Sequence, residues 1–441
     1  MFETIIDTIN TFLYSKLLIV ILIGSGIYFT IRTRFPHVRL FRKACNAVMG
    51  KPEGKESVSS FQALMVSTAS RVGTGNIVGV SSAICIGGVG SVFWMWIIAI
   101  LGSASALAES TLAQIYKQKG EDGKCYGGPA YYIEAALHSR GLAVVFCIAM
   151  ILSYAFGFNM LASYNLQSTF AGQPFYNADI TPWIIGGILA LVMGWCLLGG
   201  GNRIVKVTST LVPFMGIAYI LVSLLVVVLN IGQLPSVMAQ IFKEAFDFKA
   251  IFAGFAGSAM MQGIRRGLSS NEAGMGSTPH AHATADVKHP GDQGIIATMG
   301  VFIDTSVILT LTALVILSTG ALSSGETASA LAQVAFDSAF GSFGTVFIAI
   351  CMLFFAFTTI IGWYYFGEVN VRSLFGKKAV KVYAALVVVF VLVGSTLKVD
   401  LVWNMSDMFN GLMVIPNLIA ILASIPIVRK LSREHEGFLK K

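Results

Sequence analysis

The chain has 441 residues, of which 55% are hydrophobic and only 12% charged. A water-soluble domain carries about 25% charged residues, so the composition excludes one and leaves an integral membrane protein. The formal net charge of +8 is dispersed through short loops between apolar runs, which fits contact with lipid headgroups and excludes a nucleic-acid footprint.

Eleven apolar segments, each near the ~20 residues a membrane span needs, fall at about 13–31, 61–87, 91–115, 142–170, 182–200, 207–230, 246–264, 295–319, 342–366, 379–397 and 408–428. The alternating ten-residue segments of a β-barrel are absent, so the expected fold is all-α with about 11 transmembrane helices. The first span lacks a basic leader and a small-residue cleavage site, and reads as a span rather than a signal peptide.

With the N-terminus outside, the inside connections are 32–60, 116–141, 201–206, 265–294, 367–378 and the tail after 428. They hold 25 of the 30 Lys and Arg residues, counting Lys381 with the fifth. Lys16, Lys243, Lys249 and Lys398 stay outside, and Arg71 lies inside a span. By the positive-inside rule this predicts a plasma-membrane protein with its C-terminus in the cytoplasm. The six cysteines are scattered and suggest neither a disulfide framework nor a zinc site.

The second span contains Gly73-Thr74-Gly75-Asn76, a run of poor helix formers. A helix broken in hydrocarbon leaves N–H and C=O groups that lipid cannot satisfy, so the break must be buried in protein or line a cavity. The fourth span carries Asn165 and Gln167 towards its end. A second glycine-rich stretch, Ala253-Gly254-Phe255-Ala256-Gly257-Ser258-Ala259, lies in the seventh span. Glycines at i and i+3 also serve tight helix packing. Here, however, the two stretches stand five spans apart in segments of opposite direction. Spans 2–6 and 7–11 then form two inverted five-helix halves, the layout of a secondary transporter with its site between two broken helices. The implied division is an extra N-terminal helix and basic loop over 1–60, repeats over 61–230 and 231–428, and a tail over 429–441. Arg265–Gly294 reads as an inside segment, with a short helix starting near Ser269-Ser270-Asn271-Glu272, where Ser and Asn suit an N-cap. His280 and His282 point to different helix faces at that spacing and make a poor metal site.

An amino-acid zwitterion entering the midplane needs partners for both charged ends. Backbone N–H groups at Thr74 and Gly75, at the start of the outer half-helix, suit its carboxylate. The carbonyls of Ala69 and Val72 suit a bare cation such as Na⁺, and the ninth span offers hydroxyls at Thr358 and Thr359. Such hydroxyls also back-bond to the preceding turn. Met260 and Met261 suit an apolar wall or plain core filling, and Trp363 suits an interfacial belt. Arg71, Glu109 and Asp304 are charged residues within spans, candidates for a gate or an ion-pair network. The sequence has no Walker, HExxH or GxSxG pattern, so no ATPase or hydrolase chemistry is indicated.

Several longer motifs carry a resemblance. Gly87-Gly88-Val89-Gly90-Ser91-Val92-Phe93-Trp94-Met95-Trp96, Gly127-Gly128-Pro129-Ala130-Tyr131-Tyr132-Ile133, Ser270-Asn271-Glu272-Ala273-Gly274-Met275-Gly276-Ser277, Gly362-Trp363-Tyr364-Tyr365 and Phe409-Asn410-Gly411-Leu412-Met413 resemble the alanine/glycine:cation symporter family, the sodium:alanine symporters. The resemblance implies the leucine-transporter fold, a five-plus-five inverted repeat with one extra helix. It also implies Na⁺ at Ala69, Val72, Thr358 and Thr359. Thr74, Gly75 and Asn76 would meet the substrate carboxylate or its surroundings, with Gln167, Trp363 and Met260 as pocket residues. Arg71 stands where the wider superfamily often has a small residue, which argues against a second Na⁺ site on the Asn76 side chain. The expected activity is Na⁺-coupled symport of alanine or glycine. Its alternatives are a proton-coupled carrier of the same fold using Glu109 or Asp304, a channel, or a non-transporting amino-acid receptor.

Overall fold

The structure, a computed structural model, describes residues 2–50, 58–120, 123–247 and 258–438. Among these, seven helices are long and apolar enough to cross a membrane. The chain opens with α1 (Phe2–Phe12), a π-helical turn at Leu13–Leu17 and α2 (Leu18–Thr33), followed by the short amphipathic α3 (Phe41–Val48). The span of the first expected repeat holds α4 (Ser60–Arg71), α5 (Val78–Gly87), α6 (Ser91–Ile115), α7 (Arg140–Ser168), α8 (Thr181–Leu198) and α9 (Gly200–Leu229). That of the second holds α10 (Ala259–Asn271), α11 (Pro279–His282), α12 (Pro290–Ser318), α13 (Phe343–Phe375), α14 (Ala379–Gly394) and α15 (Val399–Ala423). A tail helix, α16 (Ile425–Phe438), closes the chain. A two-stranded hairpin, β1 (Gln118–Lys119) with β2 (Cys125–Tyr126), follows α6.

The first break forms where the sequence puts it. A capping box starts α4: the Ser59 hydroxyl accepts from Gln62 N–H at 3.1 Å and the Gln62 side chain accepts from Ser59 N–H at 2.9 Å, satisfying two donors that a helix start leaves open. The helix ends at Arg71, Gly73 is extended, and Thr74–Asn76 make one 3₁₀ turn before α5. A Cβ on Gly73 would overlap the Thr359 side chain of α13, so only glycine permits this approach.

The second break is displaced from its expected place. Residues 253–257 of the expected stretch lie outside the described residues, and Ser258 caps α10, accepting from Met261 N–H at 3.2 Å. The interruption that faces the first break is Glu272–Thr278. Glu272 turns left-handed at φ 54°, and Gly274 and Gly276 follow at φ 84° and 80°. Pro279, whose missing N–H is harmless at a helix start, opens α11. The helix expected to start near Ser269 therefore ends there instead, and of Arg265–Gly294 only 283–289 connects two helices, with Lys288 exposed. The polar residues from Ser270 to His282 are buried because the surrounding helices supply their partners. Arg265 and Arg266 stand on a half-helix rather than in a loop.

Packing reflects the inverted repeat. Half-helix α10 lies on α5, and α11 lies on α4, so each broken span meets the matching half of the other. Helix α6 runs between α10 and α12, while α13 crosses α4 and α7. Helices α8 and α9 turn apolar side chains such as Leu191, Leu198 and Leu221 outward, as a lipid-facing rim requires. Two π-helical stretches, Ser153–Phe158 in α7 and Phe302–Leu309 in α12, adjoin the breaks, a position such bulges often take at functional sites.

Candidate functional site

At the first break the backbone has open valences. Gly73 N–H donates to the Asn76 side-chain oxygen at 2.9 Å, and Asn76 N–H to the Gly73 carbonyl at 3.1 Å. The carbonyls of Ala69 and Val72 thereby lose the i+4 donors a continuous helix would give them. The Thr359 hydroxyl, buried against Gly73, has no hydrogen-bond partner among the described residues. Thr358 back-bonds to Phe354 at 2.9 Å, which uses its proton and leaves oxygen lone pairs. The N–H groups of Thr74 and Gly75 meet no acceptor among the described residues, and the Thr74 hydroxyl accepts from Asn165 at 3.3 Å.

These groups surround a cavity lined by Ser70, Gly73, Thr74 and Gly75, walled by Phe158, Leu161 and Trp363, and reached by Asn165 and Thr359. Its free volume is about 20 Å³, little more than the 10–15 Å³ that one water needs, so the pocket is nearly shut in this conformation. A larger cleft, about 760 Å³, opens between α3 and the 286–292 segment. It is lined by Arg42, Lys43, Asp286 and Asp292, away from both breaks and without an aromatic wall, so the smaller cavity is the better candidate.

Three carboxylates lie buried round the breaks. Glu109 on α6 accepts from the N–H groups of Gly274 (3.3 Å) and Gly276 (3.1 Å) and from Asn417 of α15 (3.0 Å). Asp304, carried inward on the π-helical stretch of α12, accepts from Asn76 (2.7 Å), Ser270 (3.0 Å) and Thr305 (2.8 Å). Glu272 accepts from Ser70 and Ser277, each at 2.9 Å, and from the Trp363 indole. Arg71 donates to Thr278 at 2.9 Å and to the Ala297 carbonyl at 3.4 Å. It forms no ion pair among the described residues. Its guanidinium fastens the first half-helix to the second break and to α12 through hydrogen bonds.

Arg266 and Trp403 form another part of the cavity wall. Arg266 of α10 meets Asp407 of α15 at 3.2 Å and lies 4.0 Å over the Trp403 ring. Arg265 reaches Asp407 at 3.6 Å and covers Tyr14.

The structure thus brings Thr74, Gly75, Thr359 and Trp363 to one cavity, with Arg71 also on its wall; Ala69, Val72 and Asn76 are neighbours in the break but do not line it, and the Asn76 amide turns to Asp304. Thr358 is the neighbour of Thr359 but faces Met215 at 3.4 Å. Gln167 is buried and accepts from Tyr176 at 2.8 Å, off the cavity wall. Met260 sits in the first turn of α10, roughly 18 Å of helical rise from the second break, and the apolar wall comes from Phe158 and Leu161 instead. His280 and His282 are buried, each with Nδ1 hydrogen-bonded, to the Ser277 carbonyl and to Gln293. Glu272, Ser270, Arg266 and Asp407 were not singled out by sequence as site residues. Glu272 stood inside a quoted motif, but nothing local to the sequence announces the donors that reach it from Ser70 and Trp363.

Comparison with known proteins agrees with this architecture. The sequence model of the sodium:alanine symporter family matches residues 1–441. The probable sodium/glutamine symporter GlnT of Bacillus subtilis is 45% identical over 431 residues, covering 97% of this chain and 89% of that protein. The sodium/alanine symporter AgcS of Methanococcus maripaludis is 36% identical over 428 residues, 96% and 94% of the two chains. A putative sodium/proton-dependent alanine carrier of B. subtilis, YrbD, is 41% identical over 436 residues, 95% and 89% of the two. Among solved structures, MhsT in complex with L-phenylalanine superposes with a TM-score of 0.59 at 14% identity, over 86% of this chain and 99% of that one, which gives the fold as that of the leucine transporter. With two facing breaks, a transporter fold and relatives that span nearly all of its length, the chain belongs to the sodium:alanine symporter family.

Proposed function

We propose that the protein carries a small neutral amino acid, alanine or glycine, into the cell together with Na⁺ by alternating access. The observation that carries this reading is the unsatisfied backbone at Ala69–Gly75 facing an unpartnered Thr359 hydroxyl. Carbonyl and hydroxyl oxygens suit a hard monovalent cation, and free N–H groups at a helix start suit a carboxylate. In this scheme Ala69, Val72, Thr358 and Thr359 hold Na⁺, while Thr74, Gly75 and Asn76 receive the substrate carboxylate. Gln167 and Met260 act on the pocket only indirectly. Phe158, Leu161 and Trp363 offer the substrate side chain an apolar and aromatic wall. The Arg266–Asp407 pair closes one mouth; Glu109, Glu272 and Arg71 hold the other end of the breaks together. The N-terminus lies outside, as the basic loops demand.

A proton-coupled cycle is the second reading. It is favoured by Asp304, a buried carboxylate held by neutral donors and touched by residues next to both breaks. Uptake of labelled alanine into proteoliposomes separates the two. Accumulation above equilibrium with an inward Na⁺ gradient alone supports Na⁺ symport. Accumulation with an inward proton gradient alone, and none with Na⁺, moves the coupling site to Asp304 or Glu109.

A further inference from the structure

Glu272 occupies a position that glycine or asparagine usually fills. It follows the last residue of α10 at φ 54° and ψ 16°, the left-handed helix cap. Glycine is at hand in the same loop, at Gly274 and Gly276, so a strained glutamate at the cap points to a use for its carboxylate. That carboxylate is fully buried and makes no ion pair among the described residues. Its donors come from three places: Ser70 in the last turn of α4, Ser277 at the far end of the same break, and Trp363 on α13.

The indole so held is part of the cavity wall. Tyr154 stacks on it with centroids 5.8 Å apart and planes at 26°, and Phe158 meets it edge-on at 4.9 Å. These rings restrain the indole by packing, but packing alone lets it slide in its plane. The hydrogen bond from its nitrogen removes that freedom.

We propose that Glu272 is a positioning residue for substrate selection: it fixes the Trp363 indole against the cavity so that only short side chains fit. The proposal rests on the amino-acid transport reading above. Glu272→Gln removes the charge and leaves one acceptor oxygen where three donors converge. Trp363→Phe removes the donor while keeping an aromatic ring.

The test is equilibrium binding of labelled alanine to the purified full-length protein in saturating Na⁺, with glycine, glutamine and leucine as competitors. Both variants should favour glutamine and leucine over alanine by at least about tenfold relative to wild type, the discrimination that a few methylenes command. Na⁺ binding measured without amino acid should stay unchanged. The double variant should shift selectivity no further than Trp363→Phe, because both changes act through one ring. A folded Glu272→Gln protein with wild-type selectivity overturns the proposal, as does an additive double variant. Should Glu272→Gln fail to fold, unchanged selectivity in Trp363→Phe overturns it equally. A wild-type protein that binds no neutral amino acid contradicts the transport reading instead.

Discussion

Arg71 illustrates what a single residue does here. A guanidinium cannot shed its proton, and this one lies fully buried in the last turn of α4, whose carbonyls we propose as cation ligands. Its side chain has one nitrogen on Thr278 and the other near Ala297, and the residue also lines the cavity. The planar fork of Arg spans two acceptors that the point charge of Lys cannot reach together. Arg71→Lys should therefore lower stability by about 1–3 kcal/mol, the cost of a buried group left unpaired, while transport slows but persists. Thermal unfolding and uptake rates measured on the same preparation check this. Complete loss of transport at unchanged stability and unchanged substrate binding would instead make Arg71 a moving gate. The charged residues in spans were legible as a group, because charge in an apolar run is conspicuous. Their partners were not: Glu109 is met by two backbone amides 165 and 167 residues away, and amide direction leaves no mark on sequence.

At the scale of elements, the two breaks differ in how openly they are written. Gly73-Thr74-Gly75-Asn76 interrupts an apolar run and could hardly be continuous helix. The second break is Glu272–Thr278, a polar stretch whose composition mimics a solvated loop, while the glycines at 254 and 257 resemble a broken span. Polar residues stay buried at Glu272–Thr278 because they satisfy one another and their neighbours: Glu272 with Ser277, Gly274 and Gly276 with Glu109, Thr278 with Arg71. Three-dimensional pairing overrides composition, and a hydropathy pattern cannot register it. The first break also makes a sharp prediction. Gly73→Ala places a methyl where the Thr359 side chain already stands, so α13 and the break must separate. Transport should fall below a tenth of wild type, in keeping with the 1–3 kcal/mol that overpacking typically costs, with the protein still reaching the membrane. Surface expression and uptake in the same cells measure it, and near-normal uptake would show that the break and α13 move apart freely.

For the whole molecule, the packing of α10 on α5 and of α11 on α4 sets the two breaks beside each other, linked by Ser70 to Glu272 and by Arg71 to Thr278. The helical, membrane-spanning character was readable from apolar length, because lipid thickness acts on each segment alone; seven helices long and apolar enough to span stand among the described residues, beside shorter apolar ones. How the halves pack was not readable, since the same span list permits several pairings of broken helices. Orientation gives a separate test. Cys45 and Cys85, both half-buried, lie on α3 and near the far end of α5. With the N-terminus outside, an impermeant maleimide added to whole cells should label a single-cysteine Cys85 protein and spare a Cys45 one, and inside-out vesicles should reverse the pattern. Labelling of Cys45 from outside would invert the topology and, with it, the direction of uptake.

The central claim is that the cation binds at the first break between α4 and α13. The most direct measurement is the Na⁺ dependence of labelled-alanine binding to purified wild-type and Thr359→Ala protein. Thr359 lends an unpartnered buried oxygen, so its loss should raise the half-saturating Na⁺ at least about tenfold, equivalent to ~1.4 kcal/mol, in protein as stable as wild type. A well-folded Thr359→Ala protein with unchanged Na⁺ dependence would contradict the account and move the cation elsewhere.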